Sequence, residues 1–338
     1  MQSAEIIKSQ HPLDADMVAK KQQRDQEIKD IFSGKSDRMI IVIGPCSADN
    51  EEALCDYVER LSKVQKKTAD KLLLIPRIYT NKPRTMGEGY KGILHQPDPE
   101  KEPDMGAGLI ALRKIHLEAL RISDGLFSAD EMLYPENYVY LDDVLSYVAV
   151  GARSVENQYH RLVASAIDTP VGMKNPTSGD FSVMLNAIYA AQQEHVFAYQ
   201  GYEVKTLGNP FAHAVLRGYV NKNGRSLPNY HYEDLNLICS MYAKRNLQNP
   251  AVIVDTNHAN SNKQFKEQVR IVKEVLHSRK LSGDIRNLIK GFMIESYIVE
   301  GSQDITEHTY GKSITDACLG WEDTEELLYY IADKVHAE

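Results

Sequence analysis

Short runs of β-branched and aliphatic residues alternate along the chain with longer segments whose apolar positions recur at helical spacing. The strand-like runs are Met39–Ile43, Leu72–Ile78, Leu126–Ala129, Tyr147–Val150, Val171–Lys174, Val196–Tyr199, Ala251–Asp255 and Phe292–Glu295. Between them Leu54, Tyr57, Val58, Leu61 and Val64 share one helical face, as do Phe265, Val269, Val272 and Leu276; Leu327, Leu328, Ile331 and Val335 repeat the pattern near the end. Near-continuous apolar strands separated by amphipathic helices predict a parallel sheet covered by helices, and about eight such units is the number of a (β/α)8 barrel. The doubly wound open sheet is the alternative, but no Gly-x-Gly-x-x-Gly follows the first strand.

Two stretches fall outside the repeat. A helix is predicted from about Asp14 to Phe32, with Met17, Val18, Ile28, Ile31 and Phe32 apolar and Gly34 as its stop. It precedes the first strand, so residues 1–38 read as an extension of a barrel spanning 39–338. The second is an insert of about 200–249, expected between the sixth and seventh strands. It contains the strand-like Ala214–Arg217 and the turn-like Asn221-Lys222-Asn223-Gly224, which predicts an inserted hairpin. Ser154, just after a strand, is expected to cap a helix.

Composition narrows the class. The 338 residues are 43% hydrophobic and 25% charged, which fits a globular protein with an ample core. The apolar runs are too short to span a bilayer, and the N-terminal stretch has no apolar signal region, so a cytoplasmic setting is expected. Cys46, Cys55, Cys239 and Cys318 have no paired spacing that would indicate a disulfide framework. A formal net charge of −8 disfavours nucleic acid as a partner, yet permits a locally basic cleft for an anionic substrate.

Polar residues follow the predicted strands at once, where the chemistry of such barrels resides. Arg77, Lys82, Arg84, Arg153, Lys174 and Arg217 form one group. Singly, each is most simply a strand-end cation paired with a nearby carboxylate. Converging on one mouth, they imply a substrate with more than one anionic group, since Arg recognises phosphate and carboxylate with two parallel hydrogen bonds. Cys46, His258, Glu295 and Asp316 form a second group. A thiolate, an imidazole and two carboxylates suit one divalent ion of the Mn, Fe, Co or Zn kind. Spacing alone is a weak signal here, but Glu295 inside an apolar run is costly to bury without a partner. Ser47 lies in no Gly-x-Ser-x-Gly elbow and no Walker A loop is present, which disfavours acyl transfer and nucleotide hydrolysis.

The segments Ile43-Gly44-Pro45-Cys46-Ser47, Lys82-Pro83-Arg84-Thr85, Gly151-Ala152-Arg153, Pro170-Val171-Gly172-Met173-Lys174-Asn175, Leu216-Arg217-Gly218, His258-Ala259-Asn260-Ser261, Met293-Ile294-Glu295-Ser296 and Gly311-Lys312-Ser313-Ile314-Thr315-Asp316-Ala317-Cys318 run in order from about Ile41 to Asp323. Together they resemble the type I 3-deoxy-D-arabino-heptulosonate-7-phosphate synthases, in particular the microbial alpha subgroup with an N-terminal extension and an inserted hairpin. The resemblance implies condensation of phosphoenolpyruvate with erythrose 4-phosphate and water, giving the heptulosonate phosphate and inorganic phosphate, the first step of the shikimate pathway. It implies metal ligation by Cys46, His258, Glu295 and Asp316. Phosphoenolpyruvate would be held by Arg77, Lys82, Arg153, Lys174 and Arg217, and erythrose 4-phosphate by Lys82, Pro83, Arg84 and Thr85. Lys82 would be the proton donor, and Glu131 a strand-end acid near the attacking water.

The chain departs from the subgroup in places. Ala48-Asp49-Asn50 stands where many members have Ile-His-Asp; Met132 to Val139 differs and Ala198 to His213 is shortened, in regions that help bind an aromatic amino-acid effector in the subgroup. These departures leave open whether the chain takes an aromatic amino-acid effector, and no residues are assigned to one; a homodimer or homotetramer is expected. The nearest rival is the sister enzyme making 3-deoxy-octulosonate 8-phosphate, which usually carries Lys-Ala-Asn-Arg in place of Lys82-Pro83-Arg84-Thr85. A non-catalytic barrel sensing phosphosugars or amino acids is the rival from another class; it predicts loss of a chemical residue, and none of those named is missing.

Overall fold

A computed structural model describes residues 1–84 and 87–336. Eight parallel strands form one sheet: β1 (Met39–Gly44), β2 (Leu72–Pro76), β3 (Ser128–Glu131), β4 (Leu145–Val150), β5 (Val171–Lys174), β6 (His213–Leu216), β7 (Val252–Asp255) and β8 (Ile289–Glu295). The neighbours run β2-β1-β8-β7-β6-β5-β4-β3. The two ends of that order meet through a parallel bridge between Arg77 and Ala129, where the Ile78 N–H donates to the Ala129 carbonyl at 2.9 Å. The sheet is therefore a TIM-like barrel closed by a narrow seam.

Strand periodicity divides the core in two. Met39, Ile41 and Ile43 of β1 pack outward among the helices, while Ile40 and Val42 join Leu73, Ile75, Tyr147, Val215, Ile253 and Met293 in a separate cluster inside the barrel. Ile28, Ile31 and Phe32, from the helix Ala15–Phe32, belong to that interior cluster. The N-terminal helix thus plugs the barrel floor: Phe32 stacks on His213 with ring centroids 4.3 Å apart. Asp14 stands at its N-cap and Gly34 follows it at φ +76°. Met17 is buried as expected, whereas Val18 is exposed.

One predicted strand is not part of the barrel. Val196–Tyr199 pairs antiparallel with Tyr202–Lys205, and its residues alternate between exposed and half-buried. Gln200 and Gly201 between them both have positive φ, the geometry of a tight two-residue hairpin turn. The physical reason is facial: Phe197 and Tyr199 pack on Tyr159, while Val196 faces solvent, so only one face of the segment is covered. The sixth barrel strand is His213–Leu216, fully buried and paired with β5 and β7. The long excursion therefore splits, with one hairpin before β6 and a second, smaller one after it. The latter pairs Tyr219–Val220 with Ser226–Leu227 around the Asn221–Gly224 turn, between the sixth and seventh strands as the turn residues predict. Ser154 caps no helix; Asn157 does, its side-chain oxygen accepting from the Tyr159 and His160 amides. No described helix is long and apolar enough to cross a membrane.

Candidate active site

The C-terminal strand ends surround a cleft of about 210 Å³. Its lining brings together Cys46 after β1, Arg77 and Lys82 after β2, Glu131 of β3, Arg153 after β4, Lys174 of β5, Arg217 after β6, His258 after β7 and Asp316 from the segment beyond β8, with Pro83 and Arg84 at the rim. Glu295, the last residue of β8, lies beneath, 1% exposed. Every residue expected at the site is thus at this mouth except Thr85, which lies outside the described residues.

Close backbone approach sets several of these positions. A Cβ on Gly44 would stand 2.4 Å from the Arg77 carbonyl oxygen, so glycine lets β1 and β2 bring Cys46 and Arg77 together. A Cβ on Gly151 would reach within 2.6 Å of Glu131 Oε1, so the turn before Arg153 leaves room for that carboxylate.

Three of the four candidate donors converge, with His258 beside them. Ligand atoms of Cys46, Glu295 and Asp316 all lie within 4.8 Å of one another. His258 presents Nε2 3.8 Å from Glu295 Oε1, and its Nδ1 sits 2.8 Å from Asp255 Oδ2. The Nδ1 contact lacks hydrogen-bond geometry, but a carboxylate behind an imidazole favours the forward placement of the other nitrogen, an arrangement common behind metal-binding histidines. Burial raises the Asp255 carboxyl, but His258, Lys174 and Arg77 together outweigh it and hold the group ionised. Glu295 is fixed on all sides: Gln268 accepts from its amide at 2.9 Å and donates to its carbonyl at 2.8 Å, and Asn257 donates to Oε2 at 2.5 Å. Arg77 Nη2 approaches Oε1 at 2.8 Å without hydrogen-bond geometry, so this buried oxygen has no hydrogen-bond donor among the described residues. An orphaned anionic oxygen beside a thiol, a second carboxylate and an oriented imidazole fits a divalent cation of borderline softness.

Charge pairing corrects the simplest view of the cationic group. Three of the six cations have carboxylate partners: Arg77 with Glu295, Lys82 with Asp316 at 2.9 Å, and Lys174 with Glu131 at 2.8 Å. Burial raises the Glu131 carboxyl, but Lys174 outweighs it and keeps the group below its ordinary value. Lys82 also donates to Cys46 Sγ at 2.6 Å. Burial lowers the Lys82 ammonium, yet Cys46, Asp316 and Glu295 together raise it above the ordinary lysine range. Arg153, Arg217 and Arg84 have no carboxylate within salt-bridge reach among the described residues. Arg217 is largely buried with Nη1 unbonded, and burial, with Arg153 adding to it, lowers its basicity. Arg84 donates Nε to the Tyr90 carbonyl at 2.8 Å, which fixes the side chain and leaves its charge uncompensated. Pairing with carboxylates thus divides the six cations into Arg77, Lys82 and Lys174 on one side and Arg84, Arg153 and Arg217 on the other.

Several supporting residues carry no motif of their own. Asp255 and Asn257 sit in the Asp255-Thr256-Asn257-His258 run, whose density of polar residues at a strand end was a readable signal. Gln268 comes from the following helix, and nothing in its spacing marks it. The Tyr79 ring lies under Arg77, 3.9 Å from guanidinium carbon to ring centroid, and holds that guanidinium flat. Asp130 accepts from the Thr80 and Glu131 amides, tying the β2 loop to β3.

The sequence profile of the DAHP synthetase I family matches residues 15–329. A phospho-2-dehydro-3-deoxyheptonate aldolase of Haemophilus influenzae is 39% identical over 97% of this chain and 89% of its own length. The Tyr-sensitive phospho-2-dehydro-3-deoxyheptonate aldolase of Escherichia coli is 36% identical over 100% of this chain and 94% of its own. The solved structure of the corresponding Francisella tularensis enzyme superposes with a TM-score of 0.89 at 32% identity, covering 98% of this chain and 96% of that one. With the profile spanning nearly the whole chain and these relatives aligned end to end, the chain belongs to the DAHP synthetase I family.

Proposed function

We infer that this chain is a 3-deoxy-D-arabino-heptulosonate-7-phosphate synthase, joining phosphoenolpyruvate to erythrose 4-phosphate at the first step of the shikimate pathway. The observation that carries the residue assignments is the meeting of unpaired arginines and metal-type donors in one cleft. Arg153 and Arg217, free of carboxylates, take the anionic groups of phosphoenolpyruvate, with Lys174 and Arg77 beside them. Arg84, fixed through Tyr90, takes the phosphate of the tetrose, within the sequence Lys82-Pro83-Arg84-Thr85. C3 of phosphoenolpyruvate attacks the aldehyde carbon, water adds at C2, and the resulting hemiketal phosphate expels inorganic phosphate. Lys82, kept protonated by its anionic neighbours, gives its proton to the new alkoxide. Glu131, ionised and 2.8 Å from Lys174, stands where it can orient the attacking water. Cys46, His258, Glu295 and Asp316 would hold one divalent ion (Mn, Fe, Co or Zn), which when bound supplies Lewis-acid polarisation of the aldehyde. The cations hold the substrates in register and oppose the charge that develops.

Three further readings accompany this one. The four cysteines are unpaired, which supports a reducing, cytoplasmic setting. The Tyr-sensitivity in the name of the Escherichia coli relative supports an aromatic amino acid as effector. Val196, Tyr202 and Leu207, large apolar side chains exposed on and beside the first hairpin, support assembly into a homodimer or homotetramer through that element. The activity test compares phosphate release from phosphoenolpyruvate with the tetrose and the pentose phosphate as co-substrate. Preference for erythrose 4-phosphate is expected; preference for arabinose 5-phosphate overturns the assignment.

A further inference from the structure

A second basic cavity opens at the other end of the barrel. It has a volume of about 340 Å³ and lies between the N-terminal ends of β1 and β8. Arg279 enters it from the last turn of the helix Glu267–Leu281, Arg286 from the helix Gly283–Leu288, and Lys290 from the start of β8. Arg38 joins them but is neutralised by Glu27 at 3.3 Å. Among the described residues the other three have no salt-bridge partner, and Asp37 is the one carboxylate lining the cavity.

Simple packing does not account for this cluster. A basic residue in a last helical turn is ordinary when it reaches solvent, as the exposed neighbour Lys280 does. Arg279 instead turns inward, and its Nε is buried without a hydrogen-bond partner. Arg286 donates Nε to the Arg279 backbone carbonyl at 3.4 Å, which ties the Arg286 side chain to the end of the preceding helix. Burial and the repulsion of Arg286 push Arg279 down to about 10, and burial together with Arg279 lowers Lys290. Like charges gathered in a concave, half-dry space cost free energy that an anion recovers. The floor of such barrels ordinarily serves stability rather than chemistry, so a concentration of positive charge there requires another explanation.

We propose that this floor cavity is a binding site for a small phosphorylated anion, distinct from the catalytic cleft, with Arg279, Arg286 and Lys290 as its ligands. Two guanidinium forks and one ammonium match the oxygens of a phosphate dianion, and the volume accommodates a phosphate with a small organic group. Lys290 precedes Glu295 by five residues on the same strand, roughly 16 Å at strand spacing, so the two sites share β8 without sharing a residue.

The test is a titration of inorganic phosphate, at constant ionic strength, into manganese-loaded enzyme saturated with phosphoenolpyruvate. It is run on the natural chain, on R286A/K290A and on D37N. Arg286 is exposed, Lys290 is half-buried at the start of β8, and neither belongs to the catalytic cleft, so unchanged kcat and KM confirm that R286A/K290A is folded. The natural chain is expected to bind one phosphate more than R286A/K290A. Removing the opposing Asp37 carboxylate in D37N is expected to tighten that phosphate about fivefold, the scale of one charge at close range in a partly wet site. Equal stoichiometry and affinity in the natural chain and R286A/K290A, or unchanged phosphate affinity in D37N, overturns the proposal.

Discussion

Replacing Arg217 by Met separates function from stability. Arg217 has no carboxylate partner among the described residues, so its removal strands no buried charge, and it relieves a buried Nη1 that has no acceptor. Leaving such a group unmet costs about 1–3 kcal/mol, so the variant should be as stable as the parent or more so by up to that amount. At roughly 2 cal/mol/K per residue of unfolding entropy, a chain of this length shifts its Tm by only about 1–2 °C per kcal/mol. Function moves the other way. Two charge-assisted hydrogen bonds to phosphoenolpyruvate contribute about 1.5–3 kcal/mol each, so kcat/KM should fall roughly a hundred- to ten-thousand-fold. Phosphate release under steady-state conditions and thermal unfolding of the same preparation read both quantities. A Tm lower by several degrees with kcat/KM within threefold of the parent would refute the reasoning, because it would make Arg217 a packing residue.

The contrasting variant is Lys174→Met, which leaves Glu131 ionised and buried without its partner. It should lose about 3–5 kcal/mol of stability as well as activity, measured by denaturant unfolding. Gly151→Ala places a Cβ against the Glu131 carboxylate and should lower kcat/KM at least tenfold with the fold retained by circular dichroism. Acid stability should depend on His213, fully buried under Phe32, which donates Nδ1–H to the Phe211 carbonyl and accepts from Tyr147 at Nε2. Burial lowers it to about 4, against an ordinary value near 6.5, so the unfolded chain takes up its proton first as pH falls. This contribution is intact above pH 6.5 and is lost as pH falls toward 4, on the order of 3 kcal/mol in all. In His213→Gln the stability slope between pH 6.5 and 4 should be shallower by that amount; an unchanged slope would show that His213 is protonated in the fold.

Seven of the eight barrel strands carry a signal in the sequence: most are apolar on both faces, the mark of a strand buried between helices and barrel interior, whereas β3, Ser128–Glu131, is reached only through its overlap with the largely apolar run Leu126–Ala129. Val196–Tyr199 misled because its four residues are apolar or aromatic throughout, and the Gln200-Gly201 turn that identifies a hairpin lies just beyond it. His213–Leu216 was overlooked as the sixth strand because it is short and opens on a histidine. Helix Ala4–Gln10 escaped notice because seven residues with one buried side chain, Ile7, leave almost no periodic signal. The site was more legible than the fold: residues that are costly at strand ends were visible as such, and the barrel brings them together. The pairing pattern was not legible. Sequence places Arg77, Lys174 and Arg217 in one class, and only geometry separates the two that neutralise Glu295 and Glu131 from the one left free for substrate. Supporting residues such as Gln268 act through contacts that cross elements, so no local pattern announces them.

The claim on which the account rests most heavily is that Cys46, His258, Glu295 and Asp316 share one metal ion essential to turnover. Cobalt(II) titration of exhaustively chelated enzyme tests it, because a thiolate–cobalt bond gives a near-ultraviolet charge-transfer band that oxygen and nitrogen ligands do not. No activity is expected after chelation, with a band saturating at one equivalent of cobalt, activity returning in proportion to it, and no such band in Cys46→Ser. Full activity in the chelated protein, or cobalt binding with the same band in Cys46→Ser, would contradict it.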